Sequence, residues 1–252
     1  MNVLILCAGR GTRLQSVIGN QPKPTIKFGE SNLLQRLLRE LLPVDSISEI
    51  YINVSTGAKQ IVKDLQLTHS FPKLCILYES VPWGPSFTVY EALKFSHQGL
   101  LVIHGDLLLE SGTLGKFATE LAIYGEEKSI IAVHERPRFN ASQIVRVNNF
   151  SLVEEIIWRK KSASFFERNK DAEHGSVFVD SGIYFFTPSS REVLKAPAFD
   201  SGISEGLLPQ LFDEKLLKAV LWKGLRFAID TGEKLEIAKN AFRNYPDKFR
   251  IP

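Results

Sequence analysis

The chain has 252 residues, of which 44% are apolar and 23% are charged, and its net charge is +3. These values fit one large α/β domain, or one domain with a small appendage. The basic excess is small and clusters only at Arg159-Lys160-Lys161, so no nucleic-acid partner is indicated. No apolar run approaches the ~20 residues of a membrane-spanning helix, so no membrane association is expected.

The two cysteines and the first residues bear on the cellular compartment. Cys7 and Cys75 both lie in apolar, strand-like runs. We interpret them as reduced core residues, which favours a cytoplasmic protein. The apolar stretch Met1–Cys7 is too short for the core of a signal peptide and is expected to be a strand.

Short apolar runs alternate with helical periods in the first half of the chain. The expected strands cover 2–7, 49–54, 74–79, 100–104 and 129–134, and the expected helices cover 32–42, 57–66, 86–96 and 112–123. This alternation predicts a mostly parallel sheet with helices on both faces. After about residue 140 the strands cluster, at 143–148, 152–159, 176–187, 218–222 and 226–229, with helices near 190–195, 205–212 and 232–243. We expect this half to add mixed strands and a lobe that faces the substrate.

The clearest chemical signal follows the first strand, where the chain reads Ala8-Gly9-Arg10-Gly11-Thr12-Arg13-Leu14. Glycines let backbone N–H groups approach a phosphate closely, and a row of such groups forms an anion-binding nest. Arg10, Arg13 and Lys23 add fixed positive charge around the same point. A triphosphate is therefore the expected ligand.

Two better-known phosphate motifs are excluded. The glycine-rich segment lacks the third glycine of the dinucleotide fingerprint, and the second strand ends at Val54-Ser55 without an acidic residue for a ribose. No Gly-x-x-x-x-Gly-Lys-Ser/Thr sequence occurs, which excludes a P-loop. In both motifs a helix follows the glycines at once. Here Pro22, Pro24 and Gly29 predict an irregular functional loop that lasts until Asn32.

Four segments, in this order, resemble the motifs of the sugar-1-phosphate nucleotidyltransferases, the nucleoside-diphosphate-sugar pyrophosphorylases. They are Ala8–Leu14 followed by Pro22-Lys23-Pro24, then Val102–Asp106, Asp180–Tyr184 and Phe227–Gly232. The resemblance covers residues 1 to about 240. It implies a Rossmann-like three-layer α/β fold with a mostly parallel mixed sheet. The nucleotide-binding half would cover about 1–140, and a smaller sugar-binding half about 141–252. The β-helix domain that some relatives carry is not expected in the last residues, Asn244 to Pro252, which are too short for it.

The resemblance also implies a reaction. An oxygen of a sugar-1-phosphate attacks the α-phosphorus of a nucleoside triphosphate in line, and pyrophosphate leaves without a covalent enzyme intermediate. Such a site must bring two polyanions together and neutralise the charge that builds on the α-phosphoryl group. The residues expected to hold the β- and γ-phosphates are Ala8, Gly9, Gly11, Thr12 and Arg13. Lys23 would lie between the two substrates. Arg13 and Lys23 are therefore candidate catalytic residues, and this role is favoured over that of solvated charges on a loop.

Two aspartates are the candidate ligands of a magnesium ion and are expected to be catalytic. Asp106 and Asp230 each end an apolar strand, and Mg²⁺ usually takes one or two carboxylates together with substrate phosphates. Asp230 has an alternative role, because Asp230-Thr231-Gly232-Glu233 is also a capping box for the last helix. Asp106 could simply end its strand. The resemblance favours metal binding for both.

The base is expected near Glu79–Pro85, which aligns with the family's Glu-x-x-Pro-Leu-Gly-Thr segment. Gly84 would let the backbone approach the base, and Trp83 is either a neighbour of the base or plain core. Glu79 is an acceptor when ionised and could take the paired N–H donors of guanine. An exposed acid at a strand end is an equally good interpretation of Glu79. Guanine, or less favourably cytosine, is the expected base.

The sugar side departs from the family pattern. Gln143 falls where the family has a sugar-facing glycine, and Trp158-Arg159 fall where it has a Glu-Lys pair, whereas Gly182 is kept. Arg159 can replace a lysine that clamps phosphate. Trp158 cannot accept hydrogen bonds from sugar hydroxyls as a glutamate would. We therefore expect Gln143, Arg159 and Gly182 to bind an acceptor other than glucose-1-phosphate, such as another hexose- or heptose-1-phosphate.

Two other functions stay open. A cytidylyltransferase acting on phosphocholine or another phosphomonoester would use the same chemistry. A nucleotide-sensing regulator that does not catalyse would be expected to lose Lys23 or an aspartate, and this chain keeps both kinds of residue. The expected partners are a nucleoside triphosphate and a sugar-1-phosphate, and a homo-oligomer is among the possible assembly states.

Overall fold

The secondary structure follows the alternation in the sequence. The computed structural model describes residues 1–55, 58–66, 72–124, 127–135, 143–147, 153–158 and 176–250. Its strands are β1 (Asn2–Leu6), β2 (Lys27–Phe28), β3 (Ser31–Asn32), β4 (Ile50–Val54), β5 (Leu74–Tyr78), β6 (Leu100–His104), β7 (Leu107–Leu109), β8 (Ser129–His134), β9 (Gln143–Val147), β10 (Val153–Trp158), β11 (Ser176–Phe186), β12 (Leu217–Leu221) and β13 (Arg226–Ala228). Its helices are α1 (Gln15–Ile18), α2 (Leu33–Leu41), α3 (Ala58–Gln66), α4 (Pro85–Leu93), α5 (Thr113–Tyr124), α6 (Ser190–Val193), α7 (Ile203–Gly206), α8 (Leu208–Asp213) and α9 (Gly232–Asn244).

Nine strands form the central sheet, in the order β10-β9-β11-β6-β1-β4-β5, with β8 paired to β11 and β12 paired to β8. Strands β1, β4, β5 and β6 pair in parallel, as do β8 and β12. Strand β11 runs antiparallel to β6, β8 and β9, and β10 runs antiparallel to β9. All strands of this central sheet except β10 and β11 therefore point in one direction. The expectation of a mostly parallel mixed sheet is confirmed.

Alternating side chains on each strand supply two separate cores. Val3 and Ile5 belong to a cluster that includes apolar residues of α2, α3 and α5, whereas Leu4 belongs to a cluster that includes residues of α4, α7 and α8. The same alternation repeats on β6. A strand whose two faces are both covered must be apolar at nearly every position, as these strands are. The expectation of three layers, with helices on both faces, is thus confirmed.

The structure differs from the sequence prediction where elements are short. The loop after β1 is not irregular until Asn32, because it contains 3-10 turns at Thr12–Leu14 and Lys23–Thr25 as well as α1 and the small β2–β3 hairpin. The helix expected over 205–212 is two shorter helices, with Pro209 in the first turn of the second. Strand β7 was not expected, since three residues are too few to show a period. None of the helices in the described ranges is long and apolar enough to cross a membrane.

A third apolar cluster supports the loop after β1. It joins Leu14 and Phe28 from that loop to Ile229, to Leu235 of α9 and to Phe249 near the C-terminus. Phe249 is 2% exposed, and its ring lies 5.5 Å from the Phe242 ring. The last helix and turn therefore hold the loop against the rest of the fold, although they are distant from it in sequence.

Phe249→Ala should lower the free energy of unfolding by about 3–5 kcal/mol, because it opens a cavity in this cluster. Tyr245→Ala is the matched control, since Tyr245 is 58% exposed and its truncation should cost little. Urea denaturation of both variants measures the difference. Equal losses in the two variants would show that the C-terminal turn does not support the fold in this way.

Candidate active site

A cleft lies at the carboxyl ends of the parallel strands. Strand β4 lies on one side of β1 and β6 on the other, so the sheet has its topological switch point at the end of β1. A cleft of about 320 Å³ opens there. Its lining includes most of the residues that the sequence predicts for the nucleotide side: Ala8, Gly9, Gly11, Thr12, Arg13, Lys23, Glu79, Gly84 and Asp106.

The glycine-rich loop is anchored at its start and exposed further along. The backbone N–H of Cys7 donates to the side-chain oxygen of Asn53 on β4, at 2.6 Å. Gly11 has a left-handed backbone, and the side chain of Arg13 is 59% exposed. Burial, followed by the nearby charge of Asp106, raises the pKa of the Cys7 thiol far above its usual value. Cys7 is therefore a thiol and not a thiolate nucleophile, although it lines the cleft.

Lys23 and Asp106 form the central ion pair of the cleft. The Nζ of Lys23 lies 2.9 Å from Oδ2 of Asp106, and both side chains are mostly buried. Burial alone would raise the pKa of Asp106, but the charge of Lys23, and then that of His104, brings it below its usual value. The preceding Gly105 lies close to the end of β1, where a Cβ would be 2.8 Å from the Leu6 carbonyl oxygen. The pair is thus a carboxylate and an ammonium beside the phosphate loop.

Asp230 reaches the same place through the ribbon that β7 and β13 form. Ala228 pairs with Leu107, and the N–H of Ile229 donates to the carbonyl oxygen of Asp106 at 2.9 Å. The Asp230 carboxylate lies 2.8 Å from Lys234 Nζ and 3.5 Å from an Arg13 guanidinium nitrogen. The alternative capping role falls to its neighbour, because Thr231 accepts from the N–H of Lys234 and is the N-cap of α9. Asp230 is therefore directed to the charged site and not to the helix end.

The two aspartates fit a magnesium ion that also binds substrate. They are hard oxygen donors on adjacent strand ends, which is the donor set that Mg²⁺ uses together with phosphate oxygens. Within the described ranges, no group of three or more His, Cys, Asp or Glu side chains could hold a metal by itself. An ion at this point would therefore have to complete its coordination with phosphates and water.

Glu79 is placed differently from the sequence expectation. It is 1% exposed, and its carboxylate accepts from Asn53 Nδ2 at 2.8 Å, from Thr88 Oγ1 at 2.6 Å and from the N–H of Trp83 at 3.0 Å. Direct acceptance of guanine N–H groups by Glu79 conflicts with this arrangement, because three protein donors already hold the carboxylate. The structure gives Glu79 the task of fixing the loop before α4 against β4.

A segment from the second half of the chain lies on the side of the cleft where the sequence predicts the base. The N–H of Asp200 donates to the carbonyl oxygen of Trp83 at 2.8 Å, and the rings of Phe87 and Phe199 stack with centroids 4.2 Å apart. A Cβ at Gly84 would lie 2.5 Å from the Asp200 Cα, so only glycine allows this approach. Asp200 itself is exposed and lines the cleft. Sequence reasoning missed it, because nothing in the chain marks residues 199–202 as partners of 82–86.

The acceptor side is described only in part. Gly182 lies on β11 opposite the end of β6, beside His104, which lines the cleft. Gln143 pairs with Trp158 across β9 and β10, but the side chains of both lie outside the described part of the structure. Arg159 also lies outside the described residues. The roles of Gln143 and Arg159 stay predictions.

Arg226 is a charged residue of this region that sequence reasoning missed. It begins β13, and its Nε donates to the carbonyl oxygen of Ser181 at 2.7 Å. Burial lowers its pKa, while the charges of Asp180, Asp106 and Asp230 act in the opposite direction. An arginine at the start of the apolar run Phe227–Ile229 was the available signal, since a cation there needs an unusual environment.

A comparison with protein families identifies the fold. The family model that matches is described as the MobA-like NTP transferase domain, and the match covers residues 3–209. The chain belongs to this family. The resemblance seen in the four sequence motifs is thereby confirmed at the level of the family.

Relatives of this NTP transferase domain include two kinds of curated protein. The bifunctional protein GlmU of Methanococcus maripaludis (strain C5) is 25% identical over 184 residues, which are 73% of this chain and 39% of GlmU. The chain thus spans about two fifths of that relative. The D-glycero-alpha-D-manno-heptose 1-phosphate guanylyltransferase of Campylobacter jejuni is 28% identical over 190 residues, 74% of this chain and 76% of that protein.

Solved structures support the same fold. The crystal structure of HddC from Yersinia pseudotuberculosis has a TM-score of 0.70 at 23% identity, and the match covers 96% of this chain and 99% of HddC. A second HddC structure, complexed with GMP-PN, matches this chain with a TM-score of 0.70 at 22% identity and covers 96% of this chain and 99% of that one. At this identity the likeness shows the fold of the NTP transferase domain.

Glu79→Ala should lower the free energy of unfolding by about 2 kcal/mol or more, because three donors lose a charged acceptor. Glu79→Gln should also destabilise the domain, since one amide N–H would face a donor. Glu214→Gln, at an exposed position, is the control and should change little. Chemical denaturation distinguishes a carboxylate that holds the loop before α4 from one that is free to bind a base. If Glu79→Gln matched the control, the carboxylate would not be holding the loop.

His134 should give the stability of this domain a dependence on pH. Burial, and then the charge of Arg226, lower the pKa of His134 from 6.5 to about 4. Between these values the unfolded chain takes up a proton that the folded chain excludes, so stability falls as pH falls from 6.5 towards 4. His134→Gln should remove this part of the slope, whereas exposed His97→Gln should not. Urea midpoints at pH 7 and pH 4.5 measure the slopes. Identical slopes in wild type and His134→Gln would contradict the assignment.

Proposed function

We propose that the chain is a nucleotidyltransferase that transfers a nucleoside monophosphate from a nucleoside triphosphate to a sugar-1-phosphate and releases pyrophosphate. The observation that carries the proposal is the Lys23–Asp106 ion pair beside the glycine-rich loop, at the switch point of the sheet. A cation and a carboxylate that are both desolvated there suit phosphoryl chemistry, which needs charge stabilisation more than covalent help. The family relation and the guanylyltransferase relative support the proposal.

Each charged group has a proposed task in the reaction. Arg13 and the backbone N–H groups of Ala8–Thr12 bind the β- and γ-phosphates. Lys23 lies between the substrates and stabilises the charge that builds on the α-phosphoryl group. Asp106 and Asp230 hold a magnesium ion, which supplies charge neutralisation at the phosphates when bound. The acceptor oxygen attacks the α-phosphorus directly, and the bond to pyrophosphate breaks. Cys7, which lines the cleft, is held as a thiol and is not proposed as a nucleophile.

Guanine is the proposed base, and this rests on the guanylyltransferase relative and not on Glu79. The carboxylate available for paired N–H donors on the base side is that of Asp200, which is exposed and lines the cleft. The proposed acceptor is a hexose- or heptose-1-phosphate other than glucose-1-phosphate. Gln143 and Trp158 stand where the resembling family has a glycine and a glutamate, which should change the contacts to the sugar ring.

A pyrophosphate-release screen tests the proposal. The four common nucleoside triphosphates are each combined with a panel of hexose- and heptose-1-phosphates, and phosphocholine is included as a non-sugar acceptor. Release that needs both substrates, is fastest with GTP and does not require glucose-1-phosphate is the expected result. Release only with CTP and phosphocholine would support the alternative acceptor class. No release with any pair, although nucleotide binds, would favour a nucleotide-sensing protein.

Asp106→Asn should leave the domain folded and lower turnover by about 10²-fold or more, because it removes a charge from the metal and phosphate site. Exposed Asp213→Asn is the control and should have normal turnover. Removal of divalent ions with EDTA should abolish turnover in the wild type, and added Mg²⁺ should restore it. Wild-type turnover that EDTA does not affect would exclude a metal role for Asp106 and Asp230.

Lys23→Ala and Arg13→Ala should differ in which step they impair. Lys23 acts mainly in the transition state, so its loss should lower kcat strongly and change nucleotide affinity less. Exposed Arg13 also holds the bound triphosphate, so its loss should weaken nucleotide binding as well. Calorimetry with a non-hydrolysable triphosphate and steady-state kinetics separate the two effects. Normal binding and normal turnover in both variants would show that the site is elsewhere.

A further inference from the structure

The guanidinium of Arg226 lies on the acceptor side of the central ion pair, away from the base side. The base side of the cleft is built on β4 and β5, and the ion pair stands at the ends of β1 and β6. Arg226 is held beyond this pair by two contacts, the β7–β13 ribbon and the hydrogen bond from its Nε to the Ser181 carbonyl oxygen at 2.7 Å. With the triphosphate placed as proposed above, a group that attacks the α-phosphorus in line approaches from this side, opposite the leaving pyrophosphate.

The charge of Arg226 is mostly buried, yet it has no close ion pair. Over the described ranges, no carboxylate oxygen lies within 4.0 Å of its nitrogens, and its terminal NH₂ groups have no hydrogen-bond acceptor. The three carboxylates that it faces are engaged elsewhere. Asp106 binds Lys23, Asp230 binds Lys234, and Asp180 accepts from the Gly182 N–H at 2.7 Å and the Tyr184 hydroxyl at 2.6 Å.

A second polar group without a partner lies beside this guanidinium. A Cβ added to Gly182 would lie 3.6 Å from a terminal nitrogen of Arg226 and 3.3 Å from the ring of His104. Both side chains therefore lie against Gly182 and near each other. The Nε2 of His104 is buried and has no hydrogen-bond partner among the described residues. Buried polar groups are nearly always satisfied, so the buried Nε2 of His104 without a partner, next to the unpaired guanidinium of Arg226, indicates a missing ligand.

We propose that Arg226 binds the phosphate of the acceptor substrate, with His104 beside it. The inference rests on the proposed function and names the residue that positions the attacking phosphomonoester. The planar fork of a guanidinium matches two oxygens of one phosphate, and its delocalised charge is the kind that tolerates partial burial. The three surrounding carboxylates offset the charge without occupying the fork. The phosphate of the acceptor would thus be bound by Arg226 on β13, in addition to the predicted contact with Arg159.

A purely electrostatic role is the competing explanation. In that case Arg226 would only balance the charges of Asp180, Asp106 and Asp230. A lysine at this position would then serve equally well, and removal of one carboxylate would compensate for the loss of the arginine. Four variants separate the two roles: Arg226→Met, Arg226→Lys, the double variant Arg226→Met with Asp180→Asn, and the control Arg243→Met on the exposed face of α9. Thermal unfolding checks that each variant is folded. If Arg226→Met does not fold, Arg226→Lys is the variant that tests the proposal.

The measurement is calorimetric titration of inorganic phosphate into protein saturated with a non-hydrolysable GTP analogue and Mg²⁺. The bound analogue blocks the triphosphate site, so phosphate reports on the acceptor side. Arg226→Met should weaken phosphate binding about tenfold or more, while nucleotide affinity stays close to the wild-type value. Arg226→Lys should recover only part of the loss, and the double variant should recover none. In turnover, the KM of the acceptor should rise in Arg226→Lys without a matching rise in the KM of the triphosphate.

Three results would overturn the proposal. Phosphate binding at the wild-type level in Arg226→Lys or in the double variant would make Arg226 a counter-ion. Equal losses of phosphate and nucleotide affinity would place it in the triphosphate site. If the wild type did not bind phosphate, Arg226 would not be a phosphate-binding residue. Failure of the pyrophosphate screen is a separate outcome, because Arg226-dependent phosphate binding would then stand without the proposed reaction.

Discussion

The ion pair between Lys23 and Asp106 is the contact on which the rest of the site depends. It joins the loop after the first strand to the end of the neighbouring strand, across 2.9 Å and mostly out of water. A charge in such a position is costly unless it has a partner. Each member is also what a phosphoryl-transfer site needs, an ammonium for phosphate oxygens and a carboxylate for a metal ion. Binding of substrate would therefore replace one set of charge partners with another rather than bury new unpaired charges.

The surrounding structure holds these charges at fixed positions. Asp230 is placed beside Asp106 by backbone pairing between two short strands, and its carboxylate meets Arg13 and Lys234. The loop that carries Arg13 and Lys23 rests on an apolar cluster that reaches Phe249, more than 200 residues away in the sequence. On the base side, the buried carboxylate of Glu79 fixes the loop before α4. Positioning thus comes from packing, backbone pairing and the hydrogen bonds of Glu79, while the charged groups of the cleft pair with one another.

Two kinds of feature could be predicted from the sequence: elements with a regular apolar pattern, and sites marked by glycines, basic residues or aspartates next to such an element. The strands of the central sheet are apolar on both faces and alternate with helical periods, so their positions in the chain and a mostly parallel sheet could be predicted. The glycine-rich loop and Lys23 could be found because glycine beside basic residues has a specific chemical meaning. The two aspartates could be found because each follows an apolar run. Whether they bind a metal is a proposal that the geometry supports.

Other parts could not be predicted because their meaning depends on distant neighbours. Glu79 looks like a free acid in the sequence, but Asn53 and Thr88 converge on it only in the fold. Strand β7 has three residues and no period, so the ribbon that brings Asp230 to Asp106 leaves no local signal. Arg226 stands out in the sequence only as a cation at the start of an apolar run, and its surroundings, Ser181 and three carboxylates, are known only from the fold.

The central claim is that the site works by arranging charge around two phosphates, with direct attack and no covalent intermediate on the protein. The most direct test is the stereochemistry at the α-phosphorus, followed with a nucleoside triphosphate that carries a chiral α-phosphorothioate. A single in-line displacement inverts the configuration in the nucleotide sugar, and this is the result that the account predicts. Retention of configuration would mean two displacements through a covalent enzyme intermediate, and it would contradict the account.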